Sequence, residues 1–340
     1  MKRTVHASLK HLNSFAVEAH AGQLLELDTE QDLQIFKTGF RFDPTRDLIL
    51  GSGSNILFAG DIDGTVVLNR IPGKRIIMES SDVVMVEACG GENWHQLVLW
   101  SLDQGLSGIE NLSFIPGLAG AAPMQNIGAY GVELADSLDS VQALDLENGE
   151  LREFSHKDCH FAYRDSRFKS TDAGKYLITR IRLRLQRKFE AKLGYAGLTE
   201  ELQVMGINVP TAKQVSQAVI RIRQRKLPDP SFIGNAGSFF KNPVVSRATA
   251  DSLEREFHGL PLYPVSENET KLSAAWLIEQ CDWKGHSMGG AAVSDLHALV
   301  LVNQDNATGS EILALADAIV ESVQDRFDIK LQPEPRIVRS

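Results

Sequence analysis

Residues 176–186 alternate strictly. Leu177, Thr179, Ile181, Leu183 and Leu185 fall on one face and Arg180, Arg182 and Arg184 on the other, which predicts a half-buried strand. Short runs rich in apolar and β-branched residues at 47–50, 56–58, 65–69, 75–78 and 83–88 predict further strands. The period changes over 92–103, where Trp94, Leu97, Val98 and Leu102 recur at helical spacing. The strongest hairpin signal is the pair of runs 140–146 and 151–154 around Asn148-Gly149, a dipeptide suited to a two-residue type I′ turn.

Beyond residue 210 the pattern turns helical. Thr211 and Gln214 form a capping box that opens a helix with Val215, Ala218, Val219 and Ile222 as its apolar stripe. Leu227-Pro228-Asp229-Pro230 ends it, because proline excludes the helical conformation from the residue before it. Helices are also predicted over 246–257, over 273–283 with Gly285 closing it, and over 310–327. In the last of these Ile312, Leu315, Ala316, Ile319, Val320 and Val323 face inward, and a strand over 329–338 ends the chain. A strand-rich region to about residue 190 and a helix-richer one from about 210 to 328 alternate too irregularly for a doubly wound sheet, so the fold class is α+β.

Composition narrows the class. With 340 residues, 43% hydrophobic and 23% charged, the chain is globular, and its length suggests two or three domains. A chain of this size buries roughly three-quarters of its unfolded surface and needs no disulfide or metal staple. The balance of 35 basic and 44 acidic residues, a net charge of −9, argues against nucleic-acid or anionic-membrane partners. Cys89, Cys159 and Cys281 lie far apart with no CxxC pair, as in a reduced, cytosolic chain, and the nine histidines show no paired ligand spacing, so no metal site is expected. The start of the chain lacks the apolar core of a secretory signal. Residues 111–132 carry no charge, but Pro116, Pro123, four glycines, Asn111, Gln125 and Asn126 make a membrane-spanning helix untenable.

Several stretches carry candidate chemistry. Gly51-Ser52-Gly53-Ser54-Asn55-Ile56 begins like a dinucleotide fingerprint, yet Ile56 stands where a small residue is required, and no Gly-Lys-Ser/Thr follows. It is either an ordinary turn or a loop whose N–H groups and hydroxyls cradle a phosphate. The run from Ile115 to Gly131, rich in small residues, either packs tightly or offers a close-approach surface to a flat, weakly charged ligand such as a flavin, with Gln125 and Asn126 as directional groups. Arg164 within Tyr163-Arg164-Asp165-Ser166 lies between two polar partners, and beside Asp165 it reads first as a structural ion pair. Arg221, Arg223, Arg225 and Lys226 either complement a helix C-terminus or clamp a phosphorylated substrate. Gly237-Ser238-Phe239-Phe240-Lys241-Asn242-Pro243 lacks the Gly-x-Ser-x-Gly of a nucleophile elbow, but a hydroxyl in so small-residue and aromatic a setting could donate a proton.

These motifs, in this order and with Pro333-Glu334-Pro335-Arg336 at the end, closely resemble the UDP-N-acetylenolpyruvoylglucosamine reductase family over residues from about 10 to 338. The resemblance implies an FAD-binding domain of the vanillyl-alcohol oxidase (PCMH) type, followed by a C-terminal α+β substrate domain. The divisions it implies are 1–70 and 71–210 for the two FAD-binding subdomains, with 329–340 joining the second, and 211–328 for substrate. It implies a cytoplasmic, monomeric enzyme of peptidoglycan precursor synthesis. NADPH would reduce non-covalent FAD, which would reduce the enolpyruvyl ether of UDP-N-acetylglucosamine to UDP-N-acetylmuramate.

Residue by residue, the resemblance implies that Arg164 and Glu334 stabilise the enolate-like intermediate and that Ser238 donates the proton. It implies FAD contacts from Gly51, Ser52, Gly53, Ser54, Asn55, Pro116, Gly117, Gln125, Asn126, Gly128, Tyr130 and Arg336, and substrate contacts from Tyr195, Arg223, Lys226, Asn242 and Lys284. Gly194-Tyr195-Ala196-Gly197 matches the longer form of the family, whose tyrosine loop covers substrate. Ala196 stands where glycine is common, and Gln332 and Pro335 replace residues often acidic and aliphatic. Two alternatives remain at this level. A related flavin oxidase acting on an alcohol or sugar is disfavoured by Ser238 and Glu334, and a nucleotide-sugar-binding protein without catalysis would have lost Arg164, Ser238 or Glu334, all three of which are present. A nicotinamide-only dehydrogenase is disfavoured by the broken fingerprint.

Overall fold

The alternating segment forms the strand Tyr176–Gln186 at the centre of a five-stranded antiparallel sheet. The strands run in the order Leu151–Ser155, Leu138–Asp145, Tyr176–Gln186, Val83–Cys89 and Lys74–Glu79. The alternation is broken at one point. Arg180 pairs with Gln142 but Ile178 with Ala143, so Thr179 is a bulge. Its hydroxyl bonds back to the Gln142 carbonyl at 3.1 Å. Beyond the bulge the faces swap: Ile181, Leu183 and Leu185 share a cluster with Trp94 and Ile178, while Leu177 packs into a separate cluster with Phe36 and Leu144. The expected single face for Leu177 is therefore corrected.

The computed structural model describes residues 1–195 and 197–339, and Ala196 of the tyrosine loop lies outside the described residues. The chain forms two units: Met1–Ala7, Ala21–Ser52 and Ile62–Gln224 make the first, and Ser8–His20, Gly53–Asp61 and the chain from Arg225 onward make the second. In the first unit a second sheet has the order Lys2–Ser8, His20–Leu27, Ile62–Asn69 and Leu48–Leu50, with the last three strands parallel. Helix α1 (Glu30–Gly39) starts at a Thr29/Asp32 capping box and buries Leu33 and Phe36 against the strand residues Leu25, Leu27 and Val67. Helix α2 (Trp94–Asp103) is capped by Asn93 and buries Trp94, whose indole N–H donates to the Leu112 carbonyl at 3.0 Å. Helices α3 (Leu198–Val204) and α4 (Ala212–Lys226) share a small core of Leu198, Leu202, Val215, Ala218, Val219 and Ile222. The capping box of α4 is present in both directions, Thr211 N–H to Gln214 Oε1 at 2.9 Å and Gln214 N–H to Thr211 Oγ1 at 3.3 Å.

The second unit has a sheet in the order Gly234–Ser238, Val300–Asn303, Ala291–Val293 and Ser287–Met288, and a smaller one of Val244–Ser246, Glu269–Leu272 and Leu262–Pro264. Helices α5 (Arg247–Glu256), α6 (Ala274–Gln280) and α7 (Gly309–Phe327) belong to it. On α7, Ile312, Leu315, Ala316, Ile319 and Val323 are buried as expected, while Val320 is only half-buried.

Three local expectations are corrected. The helix predicted over 273–283 stops at Gln280, because Asp282 takes a left-handed conformation (φ +59°) before Gly285 is reached. The hairpin around Asn148-Gly149 forms, but not with a type I′ turn. Asp145 N–H donates to the Glu150 carbonyl, and only Gly149 of the pair has positive φ. The Asp145 carboxylate collects the N–H groups of Glu147 and Asn148, at 3.0 and 3.4 Å, and so widens the loop. The last strand is confined to Arg336–Val338, which pairs in parallel with Ile56–Phe58. Among the described residues no helix is long and apolar enough to cross a membrane, and no group of three His, Cys, Asp or Glu is placed to hold a metal ion.

Candidate active site

In the first unit the small-residue run folds as a 3₁₀ helix over Ala119–Gln125 that ends on Asn126 in the left-handed region, φ +45°. The Asn126 side chain is buried and engaged. It donates to Glu133 at 2.6 Å and to the Ala162 carbonyl at 3.3 Å, and its Oδ1 accepts from Ala135 N–H at 3.0 Å. Asn126 therefore shapes the loop from inside. Gly117 holds φ +128° and its carbonyl accepts from Trp94 N–H, fixing Pro116-Gly117 against the start of α2. Leu118, Gly120, Ala121, Met124 and Gln125 are half-exposed and uncharged. Gly51 lies against this wall: a Cβ there would stand 3.4 Å from the Ala121 Cβ. Ser52 is exposed beside it. Two loops far apart in sequence thus meet in a small-residue, uncharged surface, which fits a flat isoalloxazine ring and its pyrophosphate chain.

Arg164 sits close by in a strained backbone, φ +55°. Its Nη2 donates to the Gly128 carbonyl at 2.8 Å and its guanidinium lies 5.3 Å from the Tyr163 ring centroid. The adjacent Asp165 accepts from the Ser170 hydroxyl at 2.6 Å and from Ser166 N–H at 2.9 Å, and Ser166 Oγ donates to the Met124 carbonyl at 2.7 Å. Tyr130 (φ +50°) meets the exposed Tyr195 ring edge-on, with centroids 5.1 Å apart. Asn111 braces that pair, donating through its one amide nitrogen to the Tyr130 carbonyl at 2.8 Å and the Lys192 carbonyl at 2.9 Å.

Arg223, on the last turns of α4, donates from Nε to the Phe114 carbonyl at 3.1 Å. Burial pushes its guanidinium below the usual value, Tyr130 opposes that, and the positive charge of Arg164 adds to it. Arg164, Arg223 and Tyr130 therefore share one electropositive, partly desolvated neighbourhood, where an anion gains most. Arg221, from the same basic cluster, points elsewhere and pairs with the buried Glu201 at 3.0 Å.

In the second unit Ser238 ends the strand Gly234–Ser238. The register slips between Asn235 and Ser238, with Gly237 at φ +70°, so the serine is turned relative to the strand. Asn235 is buried and locks this bend, accepting from Gly237 N–H at 3.0 Å and donating to the Pro228 and Ile233 carbonyls. Phe239 and Phe240 are buried behind it, packed on each other and, through Phe239, on Phe15.

The terminal segment is laid alongside. Glu334 N–H donates to the Phe239 carbonyl at 2.8 Å, Phe240 bridges Pro333, and Lys241 N–H donates to the Gln332 carbonyl at 2.9 Å. Arg336 N–H donates to the Asn55 carbonyl at 3.1 Å, and the Asn55 amide reaches the Glu334 carbonyl at 3.4 Å, so the loop of Gly53, Ser54 and Asn55 is tied to the same segment. Asn242 Oδ1 accepts from Ala274 N–H at 2.9 Å, holding the start of α6. Lys226 and Lys284 are exposed, and Lys284 pairs with Glu279 at 3.3 Å. Both lysines act on His297, which burial first and these charges next keep below its ordinary value.

Phe114 and His95 lie outside the residues singled out from sequence. Phe114 has positive φ, a conformation for which phenylalanine carries no sequence signal.

A family model described as UDP-N-acetylenolpyruvoylglucosamine reductase, C-terminal domain, matches residues 229–338, and one described as FAD binding domain matches 24–155. The chain is 45% identical over 325 residues to the UDP-N-acetylenolpyruvoylglucosamine reductase of Burkholderia multivorans, covering 95% of this chain and 93% of that one. It is 46% identical over 332 residues to the Pseudomonas aeruginosa protein of the same name, covering 98% of each. The crystal structure of UDP-N-acetylenolpyruvylglucosamine reductase from Thermus caldophilus superposes with a TM-score of 0.65 at 23% identity, covering 99% of this chain and 98% of that one, a likeness of fold. The architecture is accordingly α+β, an FAD-binding domain of the PCMH type with a C-terminal domain of the reductase kind. Matched over nearly its whole length by such relatives, the chain belongs to the UDP-N-acetylenolpyruvoylglucosamine reductase family and is an FAD-dependent oxidoreductase.

Proposed function

We propose that this enzyme reduces the enolpyruvyl ether of UDP-N-acetylglucosamine to the lactyl ether of UDP-N-acetylmuramate, with NADPH as electron donor, in the cytoplasmic synthesis of peptidoglycan precursors, and that it acts as a monomer. FAD, when bound, would supply the redox chemistry, as a hydride carrier between NADPH and the enolpyruvyl group. Arg164 and Glu334 stabilise the negative charge that hydride addition leaves on the carboxylate side, a task worth most where water is scarce. Ser238 gives its hydroxyl proton to the adjacent carbon; a serine can do this because the enolate-like species is strongly basic.

Gly51, Ser52, Gly53, Ser54, Asn55, Pro116, Gly117, Gln125, Gly128, Tyr130 and Arg336 line the cofactor, with Asn126 holding their loop in shape. Tyr195, Arg223, Lys226, Asn242 and Lys284 hold the UDP-sugar, Asn242 through its amide donor because its oxygen serves α6. On this reading 1–70 and 71–210, with 329–340, serve the flavin, and 211–328 serve the substrate.

The observation that carries the proposal is the backbone bond from Glu334 to Phe239, which sets the glutamate beside the residue following Ser238. The test is anaerobic visible absorption of the purified protein. NADPH should bleach the flavin, and UDP-N-acetylglucosamine enolpyruvate should restore the colour. In Ser238→Ala the first step should keep its rate and the second should slow by about 10²- to 10⁴-fold. Colour that returns only with oxygen would overturn the substrate assignment, and unchanged half-reactions in Ser238→Ala would overturn the role of the serine.

A further inference from the structure

We propose that His95 is a positioning residue for Arg223: through the Phe114 peptide it fixes the guanidinium that holds the anionic part of the substrate, and it makes that hold sensitive to pH. The proposal rests on the reading of Arg223 as a substrate ligand given above.

His95 lies half-buried in the first turn of α2. Phe114 N–H donates to its Nδ1 at 3.0 Å, and the two rings meet edge-on at 5.6 Å and 87°. The Phe114 carbonyl, on the other side of the same residue, accepts from Arg223 Nε at 3.1 Å. Phe114 itself sits at φ +60°, a conformation that costs a phenylalanine free energy and persists where neighbours over-determine it. One further bond steadies the segment: the Ser113 and Ser216 hydroxyls are 2.7 Å apart. Ser216 precedes Arg223 by about two helical turns, so both lie on one face of α4. Residues 113 and 114 are thus seated on α4 at two points and held to α2 at one. The α2 point is His95.

That bond requires a neutral ring with the proton on Nε2, since Nδ1 must offer its lone pair. Burial, and then the charge of Arg223, favour the neutral ring at pH 7. The other charged groups on the elements around α2 are engaged elsewhere. Glu110 accepts from Gly108 N–H, Lys213 of α4 pairs with Asp103 at the far end of α2, and Glu92 before the helix pairs with Lys74. Protonating His95 removes the acceptor from Phe114 N–H and sets a second cation near Arg223. Both changes loosen the guanidinium.

The experiment is a titration of the oxidised holoenzyme with UDP-N-acetylglucosamine enolpyruvate, followed by the flavin spectrum at several pH values, together with KM and kcat. His95→Ala should weaken binding about 3- to 10-fold near pH 8, the loss of one hydrogen bond, with kcat little changed. His95→Asn places an amide oxygen where Nδ1 was. It should bind as wild type near pH 8 and lose the part of the pH dependence that sets in below the ordinary histidine value of 6.5. Arg223→Ala should weaken binding more than His95→Ala. If Arg223→Ala binds like wild type, the substrate role of Arg223 fails and the proposal falls with it. If Arg223→Ala is weak but His95→Asn keeps the wild-type pH dependence, or His95→Ala binds normally, the proposal alone is overturned.

Discussion

Glu334 and Phe239 are joined through their backbones, the N–H of the first donating to the carbonyl of the second over 2.8 Å. A second bond, from Lys241 N–H to the Gln332 carbonyl, completes a short antiparallel bridge in which Phe240 and Pro333 stand opposite each other. The glutamate proposed for charge stabilisation and the serine proposed for protonation therefore project from neighbouring backbones. Main-chain bonds hold that relationship, with Gln332 and Pro335, the two departures from the family pattern in this segment, on either side of Pro333 and Glu334.

Pro333→Gly tests how much this aim matters. The substitution keeps both side chains but frees the backbone before Glu334. The substrate half-reaction should slow about 3- to 10-fold, in line with a modest loss of orientation, while the NADPH half-reaction stays constant. Rapid mixing of each half-reaction separates the two, and equal slowing of both would place the effect on the flavin instead.

Gly128 tests the setting of Arg164. A Cβ there would come 3.0 Å from Arg164 Nη1 and 3.0 Å from Glu133 Cγ, so Gly128→Ala requires the guanidinium and the Glu133 side chain to give by a few tenths of an ångström. A shift that small costs less than the roughly 10²-fold of a 1 Å misplacement, and the substrate half-reaction should slow about 3- to 10-fold. Near-UV circular dichroism should stay that of the wild type, because the Gly128 carbonyl is retained.

Gly53 and Gly237 have nearly the same φ, +68° and +70°, but different surroundings. A Cβ on Gly53 would overlap the Leu12 carbonyl oxygen and the Asn13 backbone, whereas one on Gly237 would meet nothing within 4 Å. Gly53→Ala should destabilise by about 2–4 kcal/mol and Gly237→Ala by about 1 kcal/mol, the strain of the left-handed conformation alone. Urea unfolding of the two variants gives the comparison directly, and equal losses would show that the close approach at Gly53 relaxes freely.

Glu87, on the strand Val83–Cys89 of the five-stranded sheet, is buried between its cross-strand neighbours and bonded by Arg182 at 3.0 Å and Arg75 at 2.7 Å. Burial raises its carboxyl, but the bonds from Arg182 and Arg75 outweigh this and hold it below the ordinary glutamate value of 4.5. A carboxylate depressed in the folded state adds stability above its unfolded value and loses it as pH falls through the folded one. Glu87→Gln should therefore lower the thermal midpoint at pH 7, while the gap between variant and wild type closes as pH drops below about 4. A gap that persisted in acid would mean that packing, not charge, carries the effect.

Much of the local structure was legible because its causes are local. The Thr211/Gln214 capping box, the apolar stripe of α4 and the proline stop after it involve residues within a few positions of one another, and each forms as read. The hairpin was legible but its turn was not, since the Asp145 carboxylate competes for N–H groups that the Asn-Gly rule leaves to the backbone. The bulge at Thr179 was also hidden. Strict alternation looks the same with or without an extra residue until the partner strand, through Gln142 and Ala143, sets the register.

The same division holds at the site. Short runs of small, polar and aromatic residues, in a given order, were enough to point to the family and its flavin and to nominate candidate groups, because such runs record chemistry that the backbone must allow. Tertiary structure alone decided what those groups touch. It buries the Asn126 amide inside its loop, turns Arg221 to Glu201 but Arg223 to Phe114, and lays Glu334 against Phe239 from the far end of the chain. Such choices depend on which distant segments close on one another, and loop closure costs entropy that only the packed whole repays.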